Sequence, residues 1–119
     1  MPIVVESPAS AGVAAPAAPP TVKLHCMEIW GGNGAQDSAI SVPGLDAFVC
    51  SQPQPGHRTG GDIHYVSMCG SGRISRFVVA DVSGHGEQVD DLATTLRTLI
   101  RRHINTLNQA RYARTLNEA

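Results

Sequence analysis

Residues 60–86 read GGDIHYVSMCGSGRISRFVVADVSGHG, and this stretch decides the architecture. Asp62-Ile63-His64-Tyr65-Val66-Ser67-Met68-Cys69 is rich in β-branched and aromatic side chains and reads as a strand. Gly70-Ser71-Gly72 makes a tight turn, and residues 73–82, RISRFVVADV, form the next and strongest strand. Two strands joined by a short Gly-rich link are an antiparallel hairpin. The continuous apolar run Phe77-Val78-Val79-Ala80 predicts a strand buried on both faces. In such a hairpin the start of one strand faces the end of the other. Asp62 and Asp81 therefore emerge at the same end of the sheet, beside the loop of residues 83–86.

Past that loop the period of the apolar residues changes. Val89, Leu92, Ala93, Leu96, Leu99, Ile100, His103, Ile104 and Leu107 follow helical spacing and predict an amphipathic helix of about five turns. Glu87, Asp90 and Asp91 near its start and Arg97, Arg101 and Arg102 toward its end complement the helix dipole. Asn108 breaks the run, and residues 109–119 open a second helix. Upstream, residues 22–30, VKLHCMEIW, partly alternate and read as a strand or extended arm, bounded by a Gly31-Gly32-Asn33-Gly34 turn. Residues 46–51, DAFVCS, are a further short strand closed by Pro53 and Pro55, and residues 52–60 are a loop by composition.

The chain has 119 residues, which bounds it at one small domain. Residues 1–21 form an Ala/Pro-rich leader, with 11 Ala or Pro among the first twenty residues. Such a segment cannot bury enough surface to offset its ordering entropy. It has no basic residue before Lys23, so it lacks the positive start of a secretory signal, and the expected compartment is the cytoplasm. Residues 22–119 carry the fold. A net charge of −1 argues against a nucleic-acid partner. No apolar run approaches the roughly 20 residues that cross a bilayer, which argues against a membrane. Cys26, Cys50 and Cys69 are odd in number and widely spaced, so neither a disulfide scaffold nor a zinc knuckle is expected. They read as reduced, mostly buried thiols, with a reactive thiol as the alternative.

Chemistry centres on Asp62 and Asp81. Two carboxylates at one loop-rich sheet edge supply the hard oxygen ligands that Mg²⁺ or Mn²⁺ takes, and neighbouring glycines let a carbonyl or substrate approach closely. The same residues also suit structural roles, a turn after Gly60-Gly61 for Asp62 and a cap for Asp81. Ser83 lacks a nucleophile elbow around it, and Gly31–Gly34 is not followed by the Lys of a phosphate loop, so loop and turn roles stand there. His57 and His64 flank a Gly-Gly break and read as solvent-facing. Arg97, Arg101, Arg102, Arg111 and Arg114 give the C-terminal segment a positive face, which is either a solvated helix surface or a dock for an acidic partner.

Gly60-Gly61-Asp62, Gly72-Arg73-Ile74 and Val78-Val79-Ala80-Asp81-Val82-Ser83-Gly84-His85-Gly86, followed by an amphipathic helix, resemble the PPM-type (PP2C-like) protein serine/threonine phosphatases. The resemblance is to their bacterial sporulation-phosphatase and sigma-regulator branch. It covers roughly residues 45–119 and rests on the motifs occurring together, in order and at this spacing. Met27-Glu28-Ile29-Trp30-Gly31-Gly32-Asn33 also looks like a segment that precedes the domain in some bacterial members.

The resemblance implies an α/β layered fold of antiparallel β-sheets flanked by helices. It implies a centre holding two Mn²⁺ or Mg²⁺ ions, with Asp81 bridging both, Asp62 on one and the Val82 backbone carbonyl as a further ligand. A water between the ions attacks phosphorus, so no protein nucleophile is required. The implied reaction is hydrolysis of phosphoserine or phosphothreonine on a signalling protein, such as an anti-sigma-factor antagonist. Arg58, in the loop just before Gly60-Gly61-Asp62, reads either as ordinary surface charge or as a phosphate contact, and His85, four residues beyond Asp81, either as a loop or supporting residue or as a general acid. The family's later metal-binding aspartates, near an SDG-like and a DD-like motif, have no counterpart before Ala119. The expectation is thus an N-terminal half-domain with an incomplete second metal site. The alternative is a catalytically inactive docking fragment.

Overall fold

The computed structural model describes residues 20–69, 72–84 and 86–119. Six strands and two helices follow in the order β1 (Thr21–Lys23), β2 (Glu28–Gly34), β3 (Gln36–Val42), β4 (Leu45–Ser51), β5 (Thr59–Cys69), β6 (Ile74–Asp81), α1 (Glu87–Arg102) and α2 (Gln109–Glu118). They make a mixed α/β fold with two three-stranded sheets, ordered β1-β3-β4 and β2-β5-β6. β1 runs parallel to β3, and the other pairings are antiparallel.

Two apolar layers hold these elements together. Leu24, Ile40, Val42, Val66 and Met68 form one, between the sheets. Ile29, Ile63, Tyr65 and Cys69 meet Ala93, Ile100 and Ile104 in the other, between the second sheet and α1. β5 supplies both layers, because alternate side chains leave opposite faces of a strand. Ile63 and Tyr65 face the helix while Val66 and Met68 face the other sheet. The expected double burial at residues 77–80 is therefore corrected, since it falls on the central strand β5. β6 is an edge strand, and its Phe77 and Val79 are 42% and 83% exposed.

Other expectations shift as well. Gly31–Gly34 lies within β2, paired with β5, and is not a turn. A Cβ on Gly31 would sit 2.1 Å from the His64 carbonyl oxygen, so the glycine serves close strand approach. β3 was not anticipated, because Gly34 to Pro43 carries few strand-forming side chains apart from Ile40 and Val42. Residues 1–19 of the expected leader lie outside the described residues. Thr21, assigned to that leader by composition, instead pairs with Ala39 in β1. Two of the three thiols, Cys26 and Cys50, are exposed, and only Cys69 is buried.

The long helix ends at Arg102, a turn short of Leu107. Buried Arg76 explains the early exit. Its guanidinium donates to the Ile104 carbonyl at 3.2 Å and to the Thr106 carbonyl, and its Nε reaches Gln109 at 3.1 Å. The same group stacks 3.9 Å above the centre of the Tyr112 ring. One cation thus satisfies carbonyls freed at the helix end and anchors α2. Asn108 caps α2 by accepting from the Arg111 N–H at 2.9 Å. Two arginines of the expected positive face turn toward β2: Arg101 donates to the Met27 carbonyl at 3.2 Å, and Arg97 lies 3.5 Å from that of Ile29. They cover carbonyls along an edge strand.

Candidate functional site

Asp62 and Asp81 are direct cross-strand partners, the last rung of the β5–β6 ladder. Side chains of directly opposed residues leave the same face of a sheet, with Cα atoms about 4.5–5.5 Å apart. Both carboxylates are exposed. One backbone hydrogen bond continues past them, from the Val82 N–H to the Gly61 carbonyl at 2.8 Å. It brings the Val82 carbonyl oxygen to 2.1 Å from where a Gly61 Cβ would stand. Glycine at 61 is therefore required by close packing. The neighbouring Gly60 meets only ordinary contacts, with Pro53 at 3.6 Å.

These groups line a cleft of about 360 Å³ whose other walls include Asn33, Gln52, Gln54, His57 and Thr59. The expected donors Asp62, Asp81 and Val82 are thus brought together at one opening. Arg58 is exposed and does not line the cleft; the adjacent His57 does. His85 lies outside the described residues. Asp62 and Asp81 also border a second, more apolar groove of about 590 Å³ formed by Phe48, Val49, Phe77 and Val79.

Asp90, read from the sequence only as a dipole-complementing charge, has a second task. Asn33 donates to its carboxylate at 2.8 Å and to the Gly60 carbonyl at 3.1 Å. Hydrogen bonds from Asn33 and Thr59 hold the Asp90 carboxyl below its usual range. The pair ties the first turn of α1 to the strand carrying Asp62. No local signal marks it, since Asn33 and Asp90 are 57 residues apart. His64 is half-buried, with its ring centre 5.4 Å from that of Trp30, and burial lowers its pKa. This corrects its reading as solvent-facing.

Asp62 and Asp81 present two carboxylates at this edge, beside the Val82 backbone. Mg²⁺ commonly keeps several waters and is held by one or two carboxylates together with substrate phosphate. Among the described residues no group of three or more His, Cys, Asp or Glu that could hold a metal ion converges, at this edge or elsewhere. No described helix is long and apolar enough to cross a membrane. Compared with known proteins, the chain matches no family model, no curated protein and no solved structure.

Proposed function

We propose that the Asp62–Asp81 edge is the metal-binding part of a phosphatase centre of the PPM type. Its substrate would be phosphoserine or phosphothreonine on a cytoplasmic signalling protein. The observation that carries this reading is the pairing of Asp62 with Asp81 at the mouth of a cleft, with the Val82 carbonyl packed over Gly61. A purely structural hairpin end has no need to oppose two carboxylates, whose repulsion destabilises the rung.

In this reading the Asp62 and Asp81 carboxylates hold Mn²⁺ or Mg²⁺ with help from the Val82 carbonyl. The cation supplies charge neutralisation at the phosphoryl group and lowers the pKa of water. The chain's own contribution is orientation. Asn33 and Asp90 fix the start of β5, and the Val82-to-Gly61 hydrogen bond fixes the end of β6. Gln52, Gln54 and His57 offer polar groups to phosphate oxygens along the cleft wall.

The test is Mn²⁺ binding by calorimetry, together with Mn²⁺-dependent hydrolysis of an aryl phosphate, on the full chain beside Asp81→Asn. Binding and turnover that both fall at least about tenfold in the variant support the reading, as expected for loss of a charged ligand. A folded chain that binds no Mn²⁺ refutes it. Binding without turnover favours the second reading, a phosphatase-like docking module. That alternative draws support from the exposed Phe48 and Val79 along the apolar groove.

A further inference from the structure

At the far end of β5 from Asp62, three sulfur atoms meet. The Cys26 thiol lies 3.7 Å from Cys69 Sγ, although the two residues are 43 positions apart. Cys69 Sγ in turn lies 3.2 Å from Met27 Sδ. Cys26 is exposed and Cys69 is buried.

The backbone is bent to make this meeting. Residues 25–28 form a β-turn closed by the Glu28 N–H on the His25 carbonyl at 3.0 Å, with Met27 at φ 70°. Positive φ at the third position of such a turn favours Gly or Asn, and a long side chain there is strained. Among the described residues Met27 is the one non-glycine with positive φ. The ladder Glu28↔Met68 is prolonged by the Met27 N–H on the Met68 carbonyl at 2.7 Å, which sets Met27 across from the end of β5. In a regular strand the preceding side chain would leave the opposite face. The left-handed residue turns Cys26 back instead, so that both sulfurs reach Cys69.

We propose that Cys26 and Cys69 form a reversible dithiol–disulfide pair that reacts with hydroperoxides. The exposed Cys26 thiolate attacks the terminal peroxide oxygen, and the O–O bond breaks. Cys26 becomes the sulfenic acid, and the alkoxide or hydroxide leaves and takes up a proton. Cys69 then attacks the sulfenic sulfur, the S–S bond forms and water departs. Overall two thiols lose two electrons and two protons, while one hydroperoxide becomes an alcohol, or water, plus one further water. Rotation of the exposed Cys26 side chain closes the gap toward the roughly 2.05 Å of a disulfide. The bond closes a loop running from β2 to β5, with β3 and β4 inside it, so oxidation would staple the entry of β2 to the end of β5 within the second sheet. This inference is independent of the phosphatase reading.

The test uses the full chain, reduced, then exposed to hydrogen peroxide and quenched with a thiol-alkylating reagent under denaturing conditions. The expected product is lighter by two hydrogens, keeps one alkylatable thiol at Cys50 and yields a linked Cys26–Cys69 peptide. Dithiothreitol restores all three thiols. Cys50→Ser leaves the linkage intact, and Cys26→Ser, at an exposed position, abolishes it. The oxidised chain should unfold roughly 5 °C or more above the reduced one, the direction expected of a cross-link closing a long loop. Three outcomes overturn the proposal: oxidation of Cys26 to acids without linkage, disulfide-linked dimers through Cys50 as the main product, or an unchanged mass.

Discussion

Gly60 and Gly61 are adjacent and chemically identical, yet the structure expects opposite responses to a methyl group. In Gly61→Ala the new Cβ would stand 2.1 Å from the Val82 oxygen and 3.3 Å from its carbonyl carbon. Both are backbone atoms, so no side-chain rotation relieves the overlap. The end of β6 must move away, and the Val82-to-Gly61 hydrogen bond stretches with it. Overpacking of this kind costs about 1–3 kcal/mol, and a weakened hydrogen bond adds about 0.5–1.5 kcal/mol. The expected destabilisation is about 2–4 kcal/mol, or a midpoint lower by roughly 10–20 °C for a domain of this size. In Gly60→Ala the methyl meets Pro53 at 3.6 Å, ordinary contact distance, so the expected change is within about 0.5 kcal/mol. Urea unfolding of both variants beside the parent measures the difference. Equal stabilities for the two variants would show that the Val82 carbonyl does not pack against Gly61 as described.

Arg76→Met should cost about 3 kcal/mol or more in urea unfolding, because it orphans the Ile104 and Thr106 carbonyls and removes the stack on Tyr112. Arg76→Lys should recover little of this, since an ammonium cannot reproduce the planar fork. Ile63→Ala, deep in the helix-facing core, should cost about 2–4 kcal/mol, whereas Val79→Thr on the open face of β6 should change stability by less than about 0.5 kcal/mol. Three groups set a common pH trend, and the Glu28 carboxyl, lowered by the hydrogen bond from the His25 backbone N–H, acts in the same direction as the two that follow. The Asp90 carboxyl is depressed in the fold, so its contribution is full above the unfolded carboxyl pKa and is lost as pH falls through its lowered value. His64 is depressed by burial, so the unfolded chain takes up its proton first and stability drops as pH falls below the ordinary imidazole value. Unfolding free energy followed with pH should therefore decline in two steps toward acid. His64→Gln should remove the upper step and Asp90→Asn should shrink the lower one, which Glu28 shares; an unchanged profile in either variant would contradict the assignment.

Much of the hairpin was legible from residue order. Asp62 and Asp81 bracket two strands about a Gly-rich link, and antiparallel register then requires them to meet, whatever surrounds them. The α1 period was legible for a similar reason, because a helix repeats locally. Its end was not, since the residue that terminates it, Arg76, is reached only through space. The Asn33–Asp90 bond and the Cys26–Cys69 contact were likewise hidden, as each joins positions distant along the chain.

Local alternation and helical spacing determined the β5–β6 hairpin, the period of α1, and which two carboxylates share a sheet edge. Tertiary packing decided the rest. It made β5 rather than β6 the strand buried on both faces, turned Gly31–Gly34 into a strand, and separated the indispensable Gly61 from the replaceable Gly60. The physical reason is that periodicity records how a residue relates to its neighbours in sequence. Burial and close approach depend on which other elements arrive at its surface.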